Sequence, residues 1–327
     1  MKRGLGIAAA IALLSAGAAY FALRSPYQGF AEPQFVELPK GTGTMEMARR
    51  LAGAGVISSR WHLLLARALR PGERWQAGEY RFEKPASPWE IANRLRRGDI
   101  YLLELRIPEG HNLFDIAREV HEAGLTTAQE FLTAARNPAL IRDLAPQAPS
   151  LEGFLFPSTY RVPRRMSGQA ICRLLTDQFR KEWKAAGGAT RDVLPTVTLA
   201  SLVEKETGAP EERPLVSSVY HNRIRLGMKL EADPTTIYAA MLEGVWRGTI
   251  YRSDLQRVHP YNTYAVAGLP PGPIANPGRA ALEAALRPAQ SDFIFFVAKG
   301  DGTGRHNFSR TLAEHNRAVA AWRSRGG

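Results

Sequence analysis

The chain is 327 residues long, 45% hydrophobic and 23% charged, a composition that excludes a disordered or fibrous protein. Its 43 Lys and Arg against 31 Asp and Glu leave a net charge of +12, which favours anionic partners: membrane lipid, nucleic acid or an acidic polymer. A single cysteine, Cys172, excludes an intramolecular disulfide framework and a zinc site built from several thiolates.

Leu5 to Leu23 is uncharged and rich in Ala, Leu and Ile, with Lys2 and Arg3 before it and Arg24 after it. As a helix it would be roughly 28 Å long, close to the ~30 Å hydrocarbon core, and it reads as a transmembrane anchor. Ala16-Gly17-Ala18 resembles a signal-peptidase site, so a cleaved signal peptide is the competing reading. The apolar run continues past that site through Tyr20, Phe21 and Leu23, longer than a usual signal core. Lys2 and Arg3 outnumber Arg24, which places the N-terminus in the cytoplasm and the body outside it. Either reading exports the body and disfavours nucleic acid as the anionic partner. The organisation expected is an anchor at 1–24, a small α+β module at 25–105 and a larger, helix-rich mixed domain at 106–327: an α+β protein.

Ser25 to Pro33 reads as a Pro/Gly-containing tether. Phe35 to Leu38 then reads as a strand, and Thr44 as the cap of a helix from Met45 to Ala54 that Gly55 stops. A second helix begins at Ser58 and closes at Pro71-Gly72, and Gly78 to Phe82 alternates like a strand. Ser87-Pro88-Trp89-Glu90 is a capping box with proline in the first turn, and Gly98 ends that helix. The pattern recurs at an offset of 69 residues: Leu38-Pro39-Lys40-Gly41 matches Ile107-Pro108-Glu109-Gly110, and Ala54-Gly55-Val56 matches Ala123-Gly124-Leu125. Convergent use of good turn residues accounts for this. So does a pair of units resembling LysM-like carbohydrate-binding modules.

Further helices are expected from Thr127 to about Arg136, Gln169 to Ala186, Leu194 to Thr207, Arg213 to Leu226 and Leu312 to Arg323. Strands are expected at Phe293 to Val297 and Tyr264 to Val266. The seven histidines include no H-E-x-x-H pair, and there is no G-x-S-x-G elbow, Walker loop or dinucleotide fingerprint. Neither metal nor organic cofactor is implied.

Ser201 to Gly208 places two glutamates at the end of an otherwise apolar helix. With Val197 at zero and about 100° per residue, Glu206 falls near 180°, between Leu202 and Leu199, whereas Glu204 falls near 340° on the other side. A carboxyl in apolar surroundings has its pKa raised and can act as a general acid near neutrality. A glutamate that merely pairs with Arg or caps a helix end accounts for the same pattern. Tyr261-Asn262-Thr263-Tyr264 and the rigid Gly268 to Ile274 loop combine amides, aromatic rings and prolines. That set suits a polysaccharide groove and suits equally a surface turn.

At these residues the sequence resembles the YceG-like (MltG) endolytic murein transglycosylases. The matching segments are Val203-Glu204-Lys205-Glu206-Thr207, Asn222-Arg223, Asp233-Pro234-Thr235, Tyr261 to Tyr264, Gly268 to Ile274, His306-Asn307-Phe308 and, upstream, Glu152 to Tyr160. The resemblance implies cleavage within peptidoglycan glycan strands, between N-acetylmuramic acid and N-acetylglucosamine, leaving 1,6-anhydromuramyl ends. It implies Glu206 as the catalytic acid/base and coupling to peptidoglycan synthases such as penicillin-binding proteins. Thr207, Asn222, Asn262, Tyr264 and Asn307 are the expected sugar contacts, with Glu152 a second carboxylate near the cleft. Two other readings remain: a muramidase using Asp233 or Glu152 as its second carboxylate, and a membrane-anchored peptidoglycan-binding protein without activity.

Overall fold

The computed structural model describes residues 2–188 and 192–324. The ends of the expected segments 1–24 and 106–327 lie outside those residues, as do the side chains of Lys2 and Arg3 on which the expected orientation rests. The chain divides into two compact units, 1–103 with 161–164, and 104–160 with 165–327. Among the described residues helices predominate, with three two-stranded sheets, so the fold is mixed α+β.

The first unit begins with α1 (Lys2–Arg24), where a run of Ala and Leu favours helix throughout. It is the one helix, among the described residues, long and apolar enough to cross a membrane. Ile7, Ile11, Leu13, Leu14, Tyr20 and Phe21 are exposed along it, whereas Leu23 is buried in the unit's core. There follow β1 (Gln34–Leu38), α2 (Thr44–Gly53), α3 (Arg60–Ala68), β2 (Gly78–Phe82) and α4 (Pro88–Arg97). β1 and β2 pair antiparallel, Val36 opposite Tyr80, and bury Val36, Leu38, Tyr80 and Phe82 against Leu51, Leu63, Ile91 and Leu95 of the helices.

Two caps differ from expectation. Gly43, not Thr44, precedes α2, and Ser59, not Ser58, caps α3 by accepting from Trp61 N at 3.3 Å. The Ser87–Glu90 capping box forms as expected, and Gly98 closes α4 at φ +69°. The segment after α1 is not a free tether. Tyr27 and Ala86 exchange backbone hydrogen bonds of 3.1 and 3.3 Å, and Gly29 N donates to Gly55 O at 2.8 Å.

Next in the chain come β3 (Leu103–Ile107), α5 (Leu113–Glu122), α6 (Ala128–Ala135), β4 (Ser158–Val162) and α7 (Gly168–Ala185), all of the second unit except Leu103, Arg161 and Val162. β1 and α2 recur as β3 and α5 at the 69-residue offset, with Gly41 and Gly110 at φ +83° and +75° in the corresponding turns. β2 and β4 stand 80 residues apart, as do the helix caps Ser87 and Ser167. Tyr80 Oη donates to Gln76 O at 2.8 Å and Tyr160 Oη to Phe156 O at 2.6 Å, the same four-residue tie in each copy. The repeat therefore covers strand, two helices, strand and helix.

Next come α8 (Val193–Glu206), α9 (Arg213–Arg225), α10 (Asp233–Leu242), α11 (Arg252–Gln256) and α12 (Arg279–Leu286). The chain closes with the hairpin β5 (Phe295–Ala298) and β6 (His306–Ser309), then α13 (Leu312–Arg323). α8 packs against α9 and α12 and buries every residue from Val197 to Val203. It is a central helix rather than one with an apolar stripe, so the angular argument for Glu206 does not describe its packing. Tyr264 to Val266 is a turn, Ala265 N and Val266 N both bonding Asn262 O, and the last strand pair starts at Phe295 rather than Phe293. The Gly300 to Gly304 run is the loop between β5 and β6.

Candidate active site

Glu206 is the last residue of α8. Thr207 after it turns extended, at φ −135° and ψ 131°, so the helix stops with the Glu206 side chain at the mouth of a cleft of about 360 Å³. Leu230, Tyr264, Phe296, Val297, Val319 and Trp322 supply apolar and aromatic wall, and Arg223, Glu231, Asp233 and His315 supply charge and polarity.

Helix α9 lies beside α8 and presents Tyr220 and Arg223, one turn apart, on one face. Tyr220 is buried and its hydroxyl donates to Glu206 Oε1 at 2.8 Å. Arg223 is held by carbonyls: Nε donates to Ile294 O at 2.7 Å, and Nη1 to Lys229 O and Leu230 O at 3.1 and 3.0 Å, with Glu231 Oε2 at 3.2 Å. Asp233 opens α10, and Tyr264 Oη donates to its Oδ1 at 2.7 Å. The cleft thus sets one carboxyl, supported by a phenol, among an anchored guanidinium and two further carboxylates.

Glu206 as a residue is partly exposed, as contact with a substrate requires, while its carboxyl group is enclosed by protein. Burial pushes its pKa up to about 7; the Tyr220 hydrogen bond opposes the shift, Asp233 adds to it, and Arg223 opposes it. Glu204 has different surroundings. Its Oε1 accepts from Arg213 Nη2 at 3.0 Å and its Oε2 from Gly278 N at 2.9 Å, a buried structural pair. Of two glutamates one turn-fraction apart, one faces the cleft and the other ties α8 to α9 and to the start of α12.

The other expected site residues are placed as follows. Tyr264 lines the cleft. Thr207 is buried, its hydroxyl accepting from Ala209 N at 3.0 Å in a tight turn behind Glu206. Asn222 donates to Ser291 O and Phe293 O at 2.8 and 3.0 Å, steering the chain into β5. Asn262 is fully buried, donating to the carbonyls of Asp254, Leu255 and Arg257 and accepting from Tyr264 N at 2.9 Å. Asn307 lies on β6 opposite Val297, beside rather than within the wall. Glu152 is buried away from the cleft, accepting from Leu113 N at 2.9 Å and Asn276 Nδ2 at 2.8 Å. Burial pushes its carboxyl up to about 8, against the pull of the hydrogen bonds from Leu113 N, the Tyr238 hydroxyl and Gly153 N. The second and third carboxylates of the cleft are Asp233 and Glu231.

Sequence reasoning did not single out Tyr220, Phe296, His315 or Trp322. Tyr220 had a readable signal, its three-residue spacing from Arg223 on one helix. α13 had none, because no residue of that helix is buried and its pattern is polar, yet His315, Val319 and Trp322 reach the cleft. Among the described residues no cluster of three or more His, Cys, Asp or Glu is placed to hold a metal ion.

The model of the YceG-like family matches residues 36–321. The endolytic murein transglycosylase of Bacillus subtilis (strain 168) is 30% identical over 303 residues, covering 86% of this chain and 83% of that protein. The endolytic murein transglycosylase of Streptococcus pneumoniae (strain D39) is 26% identical over 318 residues, and the match spans 57% of that longer protein. A crystal structure of a putative YceG-like protein from Listeria monocytogenes superposes with a TM-score of 0.56 at 29% identity, covering 88% of this chain and 99% of the other. With the family's model running over most of its length and the cleft built on the segments that carry the resemblance, the chain belongs to the YceG-like family.

Proposed function

We propose that the protein is an endolytic peptidoglycan lytic transglycosylase with Glu206 as its one acid/base. The observation that carries this reading is the carboxyl of Glu206 in a solvent-accessible cleft, bonded to Tyr220 and raised to about pH 7 by burial. Family membership and the names of the relatives point to the same class of reaction. Protonated Glu206 delivers its proton to the glycosidic oxygen as the bond from muramyl C1 breaks. The carboxylate so formed, held by the Tyr220 hydroxyl, then takes the proton of the muramyl C6 hydroxyl as that oxygen bonds to C1. The second step regenerates the acid, consumes no water and leaves a 1,6-anhydro end. Attack from within the same sugar has the advantage of an oriented intramolecular nucleophile. Asp233 and Glu231 line the same cleft, and in this reading their negative charge offsets the positive charge that develops on the ring.

In this reading α1 anchors the chain in the cytoplasmic membrane with its N-terminus inside and both units outside, and the first unit is a glycan-binding module. Mass spectrometry of purified peptidoglycan after incubation with wild type and Glu206→Gln tests the chemistry. Anhydromuramyl ends should form with wild type and fall by at least about 100-fold in the variant, the lower end of what a positioned general acid contributes. Asp233 in the same cleft favours one second reading, a muramidase, and reducing ends heavier by one water would establish it in place of ours. Retained binding with no cleavage by wild type would establish a binding protein.

A further inference from the structure

Helix α3 has an outward face that water does not explain. Leu63 and Ala66 turn into the core and are buried. Leu64 and Leu65 are half-buried and pack on the same core, while on the far side, where an exposed helix ordinarily carries charge, the chain places Trp61, Ala68 and Leu69. Trp61 and Leu69 stand at the two ends of one line roughly 12 Å long, with the half-buried Leu65 between them. Trp61 is 59% exposed and Leu69 58%. No acidic residue occurs from Arg60 to Gly72, and Arg60 and Arg67 flank the line, whereas Arg70 is held by Glu73 Oε1 at 3.4 Å and Asn93 Oδ1 at 2.7 Å. Among the described residues Arg60 has no carboxylate partner, its guanidinium lying 5.0 Å from the Trp61 ring.

This face stands where the apolar helix enters the unit. α1 packs against α3 and α4, and Leu23 is buried in the same core as Leu63, with Leu64, Leu65 and Trp89 around it. Arg24 and Arg70 both lie against the Trp89 ring, at 5.4 and 3.7 Å. The Tyr27–Ala86 and Gly29–Gly55 backbone bonds hold the next residues to the unit, so α3 cannot drift from the end of α1. Tryptophan and arginine at the end of a span are the residues that settle at a headgroup layer.

We propose that the outer face of α3 seats in the boundary between headgroups and acyl chains of an anionic bilayer, Trp61 and Leu69 entering it and Arg60 and Arg67 meeting phosphate. The first unit is then held at the membrane by two elements, a span and an interfacial helix. This rests on α1 being an uncleaved anchor.

The test uses the full chain in vesicles of phosphatidylcholine and phosphatidylglycerol, with an environment-sensitive fluorophore on Trp61→Cys or Leu69→Cys, and on Val258→Cys as a control in the second unit. The native Cys172 is buried and does not compete for label. Bromine on the lipid acyl chains should quench the labels at 61 and 69 several-fold more than the label at 258, with a blue shift that weakens when phosphatidylglycerol is omitted. Equal quenching at all three positions, in vesicles from which alkaline carbonate does not release the chain, overturns the proposal and leaves the anchor standing. Release by carbonate overturns the anchor and the proposal together. A blue shift that rises with protein concentration and is indifferent to bromine assigns the face to a protein partner, and overturns the proposal as well.

Discussion

Tyr220 and Asp233 pull the Glu206 carboxyl in opposite directions, which makes their roles separable by pH. In the proposed reaction Glu206 must carry a proton at the outset, so cleavage should decline as pH rises through about 7. Tyr220→Phe removes a hydrogen bond that favours the carboxylate; the acid then holds its proton to higher pH, and the alkaline limb of the activity profile should move up. Asp233→Asn removes a neighbouring negative charge and should move that limb down. A shift of both limbs in one direction would show that the substitutions act by repacking rather than through the carboxyl. Glu152, raised to about 8, affects stability instead. Its folded form binds a proton more tightly than the unfolded chain, so the stability it contributes is full below the unfolded value near 4.5 and is lost as pH rises through about 8. The melting temperature should therefore fall between pH 5 and 8.5. Glu152→Gln should lower it at pH 5, because an amide group then faces a backbone or Asn276 donor, and should flatten the decline.

At the scale of elements, the loop from Gly268 to Ile274 is held from below by a glycine. Gly153 sits at φ +85°, and a Cβ there would come within 2.4 Å of Pro273 Cγ and 2.9 Å of Val197 Cγ1. Gly153→Ala should cost about 2 kcal/mol or more in thermal or denaturant unfolding, since neither the ring nor the buried α8 can give way. The end of α8 and the capping box of α4 were legible in the sequence because both depend on neighbours within four residues. The repeat was legible only at its first strand and helix. Its second half lies at a different offset because the chain between α6 and β4 is longer, which breaks a fixed-period comparison. Asn222 and Asn262 read equally well as sugar contacts or turn residues, and their bonds run to carbonyls brought close by folding, Ser291 and Phe293 in one case. α13 stayed illegible as a cleft wall for a related reason: three side chains of a polar helix gain their meaning from β5, which packs beneath them.

At the scale of the molecule, the burial of Leu23 decides where a soluble fragment should start. A fragment beginning at Ser25 lacks that side chain and leaves a hole beside Leu63 and Trp89. One beginning at Tyr20 retains it, and the first unit of the longer fragment should be more stable by about 2 to 5 kcal/mol, the usual cost of deleting a buried leucine. Equal melting of the two would mean that α1 contributes nothing to that core. The tie between Tyr27 and Ala86 has a further consequence, for reach. Nine residues of flexible coil would let a domain wander roughly 15–18 Å from its attachment. Residues 25–33 do not provide that freedom, because they are stitched to the body they would otherwise release. In a chain anchored through α1, the first unit then keeps a constant altitude above the bilayer. Any glycan bound as proposed is then reached by lateral travel alone, so that strands would be sorted by their distance from the membrane before any sugar is recognised.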